Sequence, residues 1–355
     1  MLLVLLIAAL LEAPRETPAP RPAAETHRSV PLASAAARRG DHKPELQVTI
    51  WYPATAGTPE TPYLIGPPDK PLFDVATLAV DARPEAGKHP VILLSHGFGG
   101  TADDMGWLAA PLARAGYVVI SVDHPGNNAL DKTLIGATAW WERPRDLIAA
   151  LDAMARDPEF APLIDRDEVA AAGYSMGGAT ALALAGARID AAHFDAYCRA
   201  DPADGVCQPP PEMPGTPALD VTTGLAKLGL TEAAAHAGEG TTLPNLRAVL
   251  SIAPNAQTLT PASLRRIAAP VVVIGGERDA TVPIAHQAGY AAGLIPHARL
   301  VRVPTAAHYS FIATCTDAGR AQIPVCRLAL DQPTAHRVAI AEALALFGRT
   351  MPTRR

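Results

Sequence analysis

A serine bracketed by glycines is the first residue here whose setting suggests chemistry. Gly173-Tyr174-Ser175-Met176-Gly177 has the spacing G-x-S-x-G. It ends the apolar run 168–174 and opens the small, helix-favouring stretch 176–187. A strand that turns sharply into a helix at a serine holds that residue in a strained backbone conformation with its hydroxyl exposed. The positions two before and two after must then be tiny. The helix that follows aims its free amides and positive dipole end at the serine. A plain tight turn is the alternative. The strand before and the helix after favour a nucleophile.

A serine hydroxyl needs a base, a carboxylate to orient that base, and amide donors for the developing oxyanion. His308 lies in the loop past the strand-like run 298–304 and is the candidate base. Asp279 follows the run 270–276 and is the candidate orienting acid, with Glu277 as its competitor. The chain order Ser, Asp, His is the one expected of a strand-to-helix nucleophile turn. Of the eleven histidines, His124, in Asp123-His124-Pro125-Gly126, is the best rival of His308 and reads as a pocket-lining residue. The stretch 95–100, Ser-His-Gly-Phe-Gly-Gly, is a glycine-rich loop after another apolar run. It supplies the backbone N–H of Phe98 as one oxyanion donor, and Met176 supplies the other. His96 reads as a structural histidine bonded to backbone. Trp140 and Trp141 read as ordinary packing or as an apolar wall for the substrate.

These residues need strand ends to hold them. Strands are expected at 46–54, 91–94, 117–123, 168–174, 247–254, 270–276 and 298–304. Helices are expected at 103–115, around 143–157, at 176–187 and at 333–347. Runs such as Val91–Leu94, apolar on both faces, suit central parallel strands. Alternating strands and helices imply an α/β fold, a mostly parallel central sheet with helices on both faces. Ligands of such sheets bind beyond the carboxyl ends of the strands, and every candidate above sits at one. Residues 188–246 break the rhythm and read as a cap-like insertion.

Composition sets the remaining bounds. The chain has 355 residues, 49% of them hydrophobic, and a formal net charge of -5. No basic stripe argues for nucleic acid. Leu2–Leu11 is too short to span a bilayer and fits the core of a secretory signal peptide, with a buried segment as the alternative. Residues 1–25 are therefore assigned to a signal peptide and disordered leader, and 26–350 to the hydrolytic domain. The four cysteines support export to the periplasm or medium. Sequence proximity favours Cys198 with Cys207 and Cys315 with Cys326. No metal set or cofactor motif is found. A small-molecule ester is the expected partner, and the chain is expected to be a monomer or homodimer with no stable membrane span.

With these motifs in place, the sequence resembles the α/β-hydrolases over residues 26–350. Within them it resembles bacterial exported dienelactone-hydrolase-like proteins related to platelet-activating-factor acetylhydrolase. The stretches that carry this are WYPA, VILLSHGFGGTADDMGWLAAPLARAGYVVISVDHPG, RPRDLIAALDAM, GYSMGG, GERDATVP and AAHYSFIATC. Its SMGG turn is also similar to that of polyester-degrading hydrolases. The resemblance implies Ser175, Asp279 and His308 as a catalytic triad, and the amides of Phe98 and Met176 as an oxyanion hole. One departure matters. Dienelactone hydrolases proper use a cysteine nucleophile, and here a serine stands at the turn. The expected activity is hydrolysis of a small or lipid-like carboxylic ester. An amidase or peptidase on the same triad is the alternative, and a non-catalytic binding module a third reading.

Overall fold

The computed structural model describes residues 21–213 and 220–353. The expected signal peptide lies outside the described residues.

The leader assignment needs correcting at its end. Strand β1 (Ala23–Pro31) begins inside it, and Ala23 and Ala24 are fully buried. β1 pairs antiparallel with β2 (Glu45–Pro53) along its whole length, so its alanines fill core space. An Ala/Pro composition hid a strand whose stability comes from its neighbour. Strands β3 (Thr61–Ile65) and β4 (Phe73–Val80) lie between two expected strands, where none was expected.

The centre of the molecule follows the expected rhythm. The strands are β5 (His89–Ser95), β6 (Val118–Asp123), β7 (Ile164–Tyr174), β8 (Val249–Ile252), β9 (Val271–Gly276) and β10 (Ala298–Val303). They run parallel in the order β6-β5-β7-β8-β9-β10. β2 extends the sheet antiparallel to β6, and β1 pairs antiparallel to β2. β4 follows β1, and the two-residue β11 (Thr314–Cys315) pairs with β4 at the far edge.

Alternation along the strands sorts side chains between two layers. On β5, Val91 and Leu93 face α3 (Glu142–Met154), which follows the short α2 (Leu134–Thr138), and α4 (Met176–Leu184). Ile92 and Leu94 face the opposite layer, formed by α1 (Gly106–Arg114) and the C-terminal helix (Gln332–Thr350). All four are fully buried, each contributing about 1.5–3 kcal/mol by burial. That is why this run is apolar on both faces rather than alternating.

The segment 188–246 holds helices but no strand among its described residues. They are α5 (Ala191–Ala200), α6 (Val221–Lys227) and α7 (Thr231–Ala235), between α4 and β8. Two disulfides are present, Cys198–Cys207 and Cys315–Cys326, the pairs that proximity favours. Each closes a short loop, which by chain entropy is worth about 2–3 kcal/mol.

Candidate active site

At the end of β7 the chain turns into α4 through Ser175, whose backbone has φ 56 and ψ -120. A non-glycine residue in that region carries a strain of order 1–3 kcal/mol. The surrounding residues enforce it. A Cβ on Gly173 would overlap the Gly177 carbonyl, and a Cβ on Gly177 would overlap the Ser95 carbonyl. The Ser175 amide donates to the Ile252 carbonyl at 2.8 Å, anchoring the turn to β8.

The structure brings Ser175, His308 and Asp279 together from three chain segments. His308 Nε2 lies 2.9 Å from Ser175 Oγ, and His308 Nδ1 lies 2.8 Å from Asp279 Oδ2. Asp279 Oδ1 accepts the amides of Thr281 at 3.0 Å and Val282 at 2.6 Å. These bonds use the second carboxylate oxygen and fix the group's angle. The Tyr174 hydroxyl donates to the His308 carbonyl at 3.1 Å, so the residue beside the serine also holds the histidine's backbone. Burial disfavours the charged His308 ring, but the Asp279 charge and hydrogen bond outweigh it. With a smaller contribution from Glu212, they hold the ring's pKa above the ordinary histidine value. Glu277, the rival acid, is paired with Arg302 at 3.0 Å instead.

Met176 opens α4, and the first amides of a helix have no acceptor within it. The loop 95–100 packs against the same turn. A Cβ on Gly97 would lie 3.0 Å from the Tyr174 ring and 3.4 Å from the Ser175 Cβ. Phe98 and Met176 both line the small cavity, about 60 Å³, that exposes Ser175 and His308. A second cavity of about 400 Å³ adjoins Phe98 and is walled by Tyr174, Tyr309, Ile312 and Met105 among others. Phe98 and Glu212 line both.

The segment 188–246 supplies part of the small cavity's wall through Phe194, Val206 and Cys207. Cys207 is tied to α5 by its disulfide. Gly205 packs so closely on the loop after Asp279 that a Cβ there would overlap the Ala280 carbonyl. Trp140 lines the cavity and packs edge-on against Phe194 at 5.2 Å, whereas Trp141 is buried in the core.

His124 departs from its expected role. It lines neither cavity and is buried beneath the loop. Its Nε2 lies 2.9 Å from Ser95 Oγ and its Nδ1 3.0 Å from Asp146 Oδ2. Arg38 grips Asp146 with two bonds of 2.7 and 2.9 Å. Arg143 donates to Asn127 Oδ1 at 2.8 Å, Thr180 Oγ1 at 3.2 Å, Ser95 Oγ at 3.3 Å and the His96 carbonyl. Both ring nitrogens of His96 meet backbone, the Gly97 carbonyl and the His124 amide. This network braces the loop that carries Phe98, and residue reading missed it. A signal existed. Arg143 and Asp146 fall on the same stripe of α3 as Leu147, Ala150 and Met154, all buried. Charged residues on an apolar stripe imply buried partners.

The chain matches the alpha/beta hydrolase family over residues 91–318. Cutinase est2 of Thermobifida alba is 37% identical over 108 residues, 30% of this chain and 33% of that protein. Cutinase cut1 of Thermobifida fusca is 36% identical over 108 residues, 30% of this chain and 31% of that protein. The chain thus spans only about a third of the length of these curated relatives. A ferulic acid esterase from Streptomyces cinnamoneus shares the fold with a TM-score of 0.61 at 21% identity, over 95% of this chain and 92% of that one. Its strand order, its helical layers and its match over most of its length make this chain a member of the alpha/beta hydrolase family.

Proposed function

We propose that this protein hydrolyses carboxylic esters through an acyl-enzyme on Ser175. The observation that carries this reading is His308 bonded at once to Ser175 and Asp279, beside a cavity that opens onto the serine. Ser175 Oγ attacks the ester carbonyl while His308 Nε2 takes its proton. Asp279 keeps the ring in the tautomer that accepts at Nε2 and stabilises the imidazolium that forms. The amides of Phe98 and Met176 receive the oxyanion. His308 returns the proton to the leaving alcohol, and water then cleaves the acyl-enzyme by the same route in reverse.

The cavity walls support a neutral ester with an apolar group. Phe98 borders both a small chamber at the serine and a larger apolar one, which suits an ester with one short and one bulky side. Glu212 lines both and disfavours anionic substrates. The cutinase and ferulic acid esterase relatives support ester rather than amide chemistry. The motif stretches support kinship with the dienelactone-hydrolase-like group, and the two disulfides support export.

A series of p-nitrophenyl esters of increasing acyl length, with matched anilides, tests the proposal. Ester turnover by wild type should exceed anilide turnover and fall by on the order of 10⁴–10⁶ in Ser175→Ala. Undiminished hydrolysis by that variant removes the mechanism. Faster cleavage of anilides moves the reading to an amidase.

A further inference from the structure

One carboxylate is buried without the partners that burial demands. Glu25, on β1, is fully buried, and no hydrogen bond reaches either of its carboxylate oxygens. Such a group costs several kcal/mol unless a positive partner offsets it. His27, two residues on and on the same strand face, places Nε2 3.3 Å from Glu25 Oε1, without hydrogen-bond geometry. Asp103, in the turn leading into α1, completes a group whose donor atoms all lie within 4.8 Å of one another.

The hydrogen bonds around the group orient the histidine. Thr49 Oγ1 donates its single hydrogen to Asp103 Oδ1 at 3.2 Å. The same oxygen lies 3.2 Å from His27 Nδ1, so the ring nitrogen supplies the hydrogen in that contact. A neutral ring with its hydrogen on Nδ1 turns a bare Nε2 lone pair toward the Glu25 carboxylate. Lone pair against anion is repulsive unless something positive lies between. A proton on Nε2 serves one oxygen of Glu25 and leaves the other unmatched. A metal ion takes Nε2, Glu25 and Asp103 together.

We propose that Glu25, His27 and Asp103 form a binding site for one divalent cation of the Zn²⁺ or Mn²⁺ class. An imidazole nitrogen with two carboxylates suits these ions better than Ca²⁺, which takes oxygen ligands. Thr49 and the Tyr63 hydroxyl, which donates to Asp103 Oδ2 at 3.1 Å, would orient the ligands from outside. The half-exposed His27 gives the ion a way in. Asp104 and Asp123 add negative potential nearby. The cation would fasten the first strand to the segment that follows the Phe98 loop. Residue spacing hides the site because its ligands come from distant parts of the chain. A second cluster, Asp201, Asp204 and His286, carries no such case. Both Asp204 oxygens are engaged, by His286, Tyr197 and the Val206 amide.

The test is calorimetric titration and thermal unfolding of chelator-treated full-length protein with Zn²⁺, Mn²⁺ and Ca²⁺. One equivalent of Zn²⁺ or Mn²⁺ should bind saturably and raise Tm. Glu25→Gln and Asp103→Asn should each weaken binding about 10–100-fold, and His286→Gln should leave it unchanged. Absence of stoichiometric binding overturns the site, as does binding indifferent to Glu25→Gln and Asp103→Asn. Saturation by Ca²⁺ alone overturns the cation class. Should the buried variants fail to fold, His27→Gln at its half-exposed position serves instead. It should shift the visible bands of bound Co²⁺ through loss of a nitrogen ligand, and an unchanged spectrum overturns the proposal. None of these readouts depends on esterase activity.

Discussion

Ser175–His308–Asp279 and Ser95–His124–Asp146 have nearly equal bond lengths, 2.9 and 2.8 Å against 2.9 and 3.0 Å. They differ in charge balance and in access. Asp279 has backbone amides on its second oxygen, so its negative charge is left for His308. Asp146 is neutralised by Arg38, and Arg143 lies close by. Burial first, and then the charges of Arg143 and Arg38, hold His124 well below the ordinary histidine value. His308 is held above it. Forming an imidazolium is therefore favoured at one site and opposed at the other. Ser175 stands strained at a cavity, while Ser95 ends a regular strand with no exposure at all. Distance alone does not make a catalytic triad. The proposed mechanism also needs a charge left to stabilise the transition state and a path for substrate, and the Ser175 group has both.

The contrast breaks most readily at the two serines. A fluorophosphonate should label Ser175 in the native protein, and Ser175→Ala should abolish labelling. Mass spectrometry finding the adduct on Ser95 would collapse the distinction.

Next come the acids. Asp279→Asn should lower kcat by about 10⁴ with little loss of stability, because the wrong tautomer is then held. Asp146→Asn should do the reverse. It leaves Arg38 buried without its counter-ion, at a cost of about 3–5 kcal/mol in urea unfolding. Turnover per folded molecule should stay within reach of wild type. Equal effects of the two substitutions on kcat would make the inner chain part of the catalytic machinery.

The smallest effect is in pH. His308 must be neutral to accept the serine proton, so kcat/KM should fall on acidification with a midpoint above 6.5. His308 has a raised folded pKa, so its contribution to stability is present below the unfolded value and is lost as pH rises through the folded one. His124 acts oppositely. The unfolded chain binds its proton below about 6.5 while the folded chain does not, so this term weakens the fold as pH falls. NMR titration of the two rings separates them. A His124 that titrates alongside His308 would refute the charge argument.

Much of the site was legible because its signals are local. G-x-S-x-G marks a turn in which Gly173 and Gly177 have no room for a Cβ, and that steric need shows within five residues. The strands that present the candidates are short apolar runs buried on both faces. Of the early strands, β2 was legible as the run 46–54, while β1 was not, because its stability comes from pairing with β2 rather than from a pattern of its own.

Sequence alone therefore supplied the nucleophile turn, the strand–helix rhythm and the order of Ser175, Asp279 and His308 along the chain. Tertiary structure decided which buried charges meet. Arg38 reaches Asp146 across 108 residues, and His308 reaches Ser175 across 133. Local sterics are written in neighbouring residues. The electrostatic balance that separates a reactive histidine from an inert one depends on partners that only folding brings within a few ångströms.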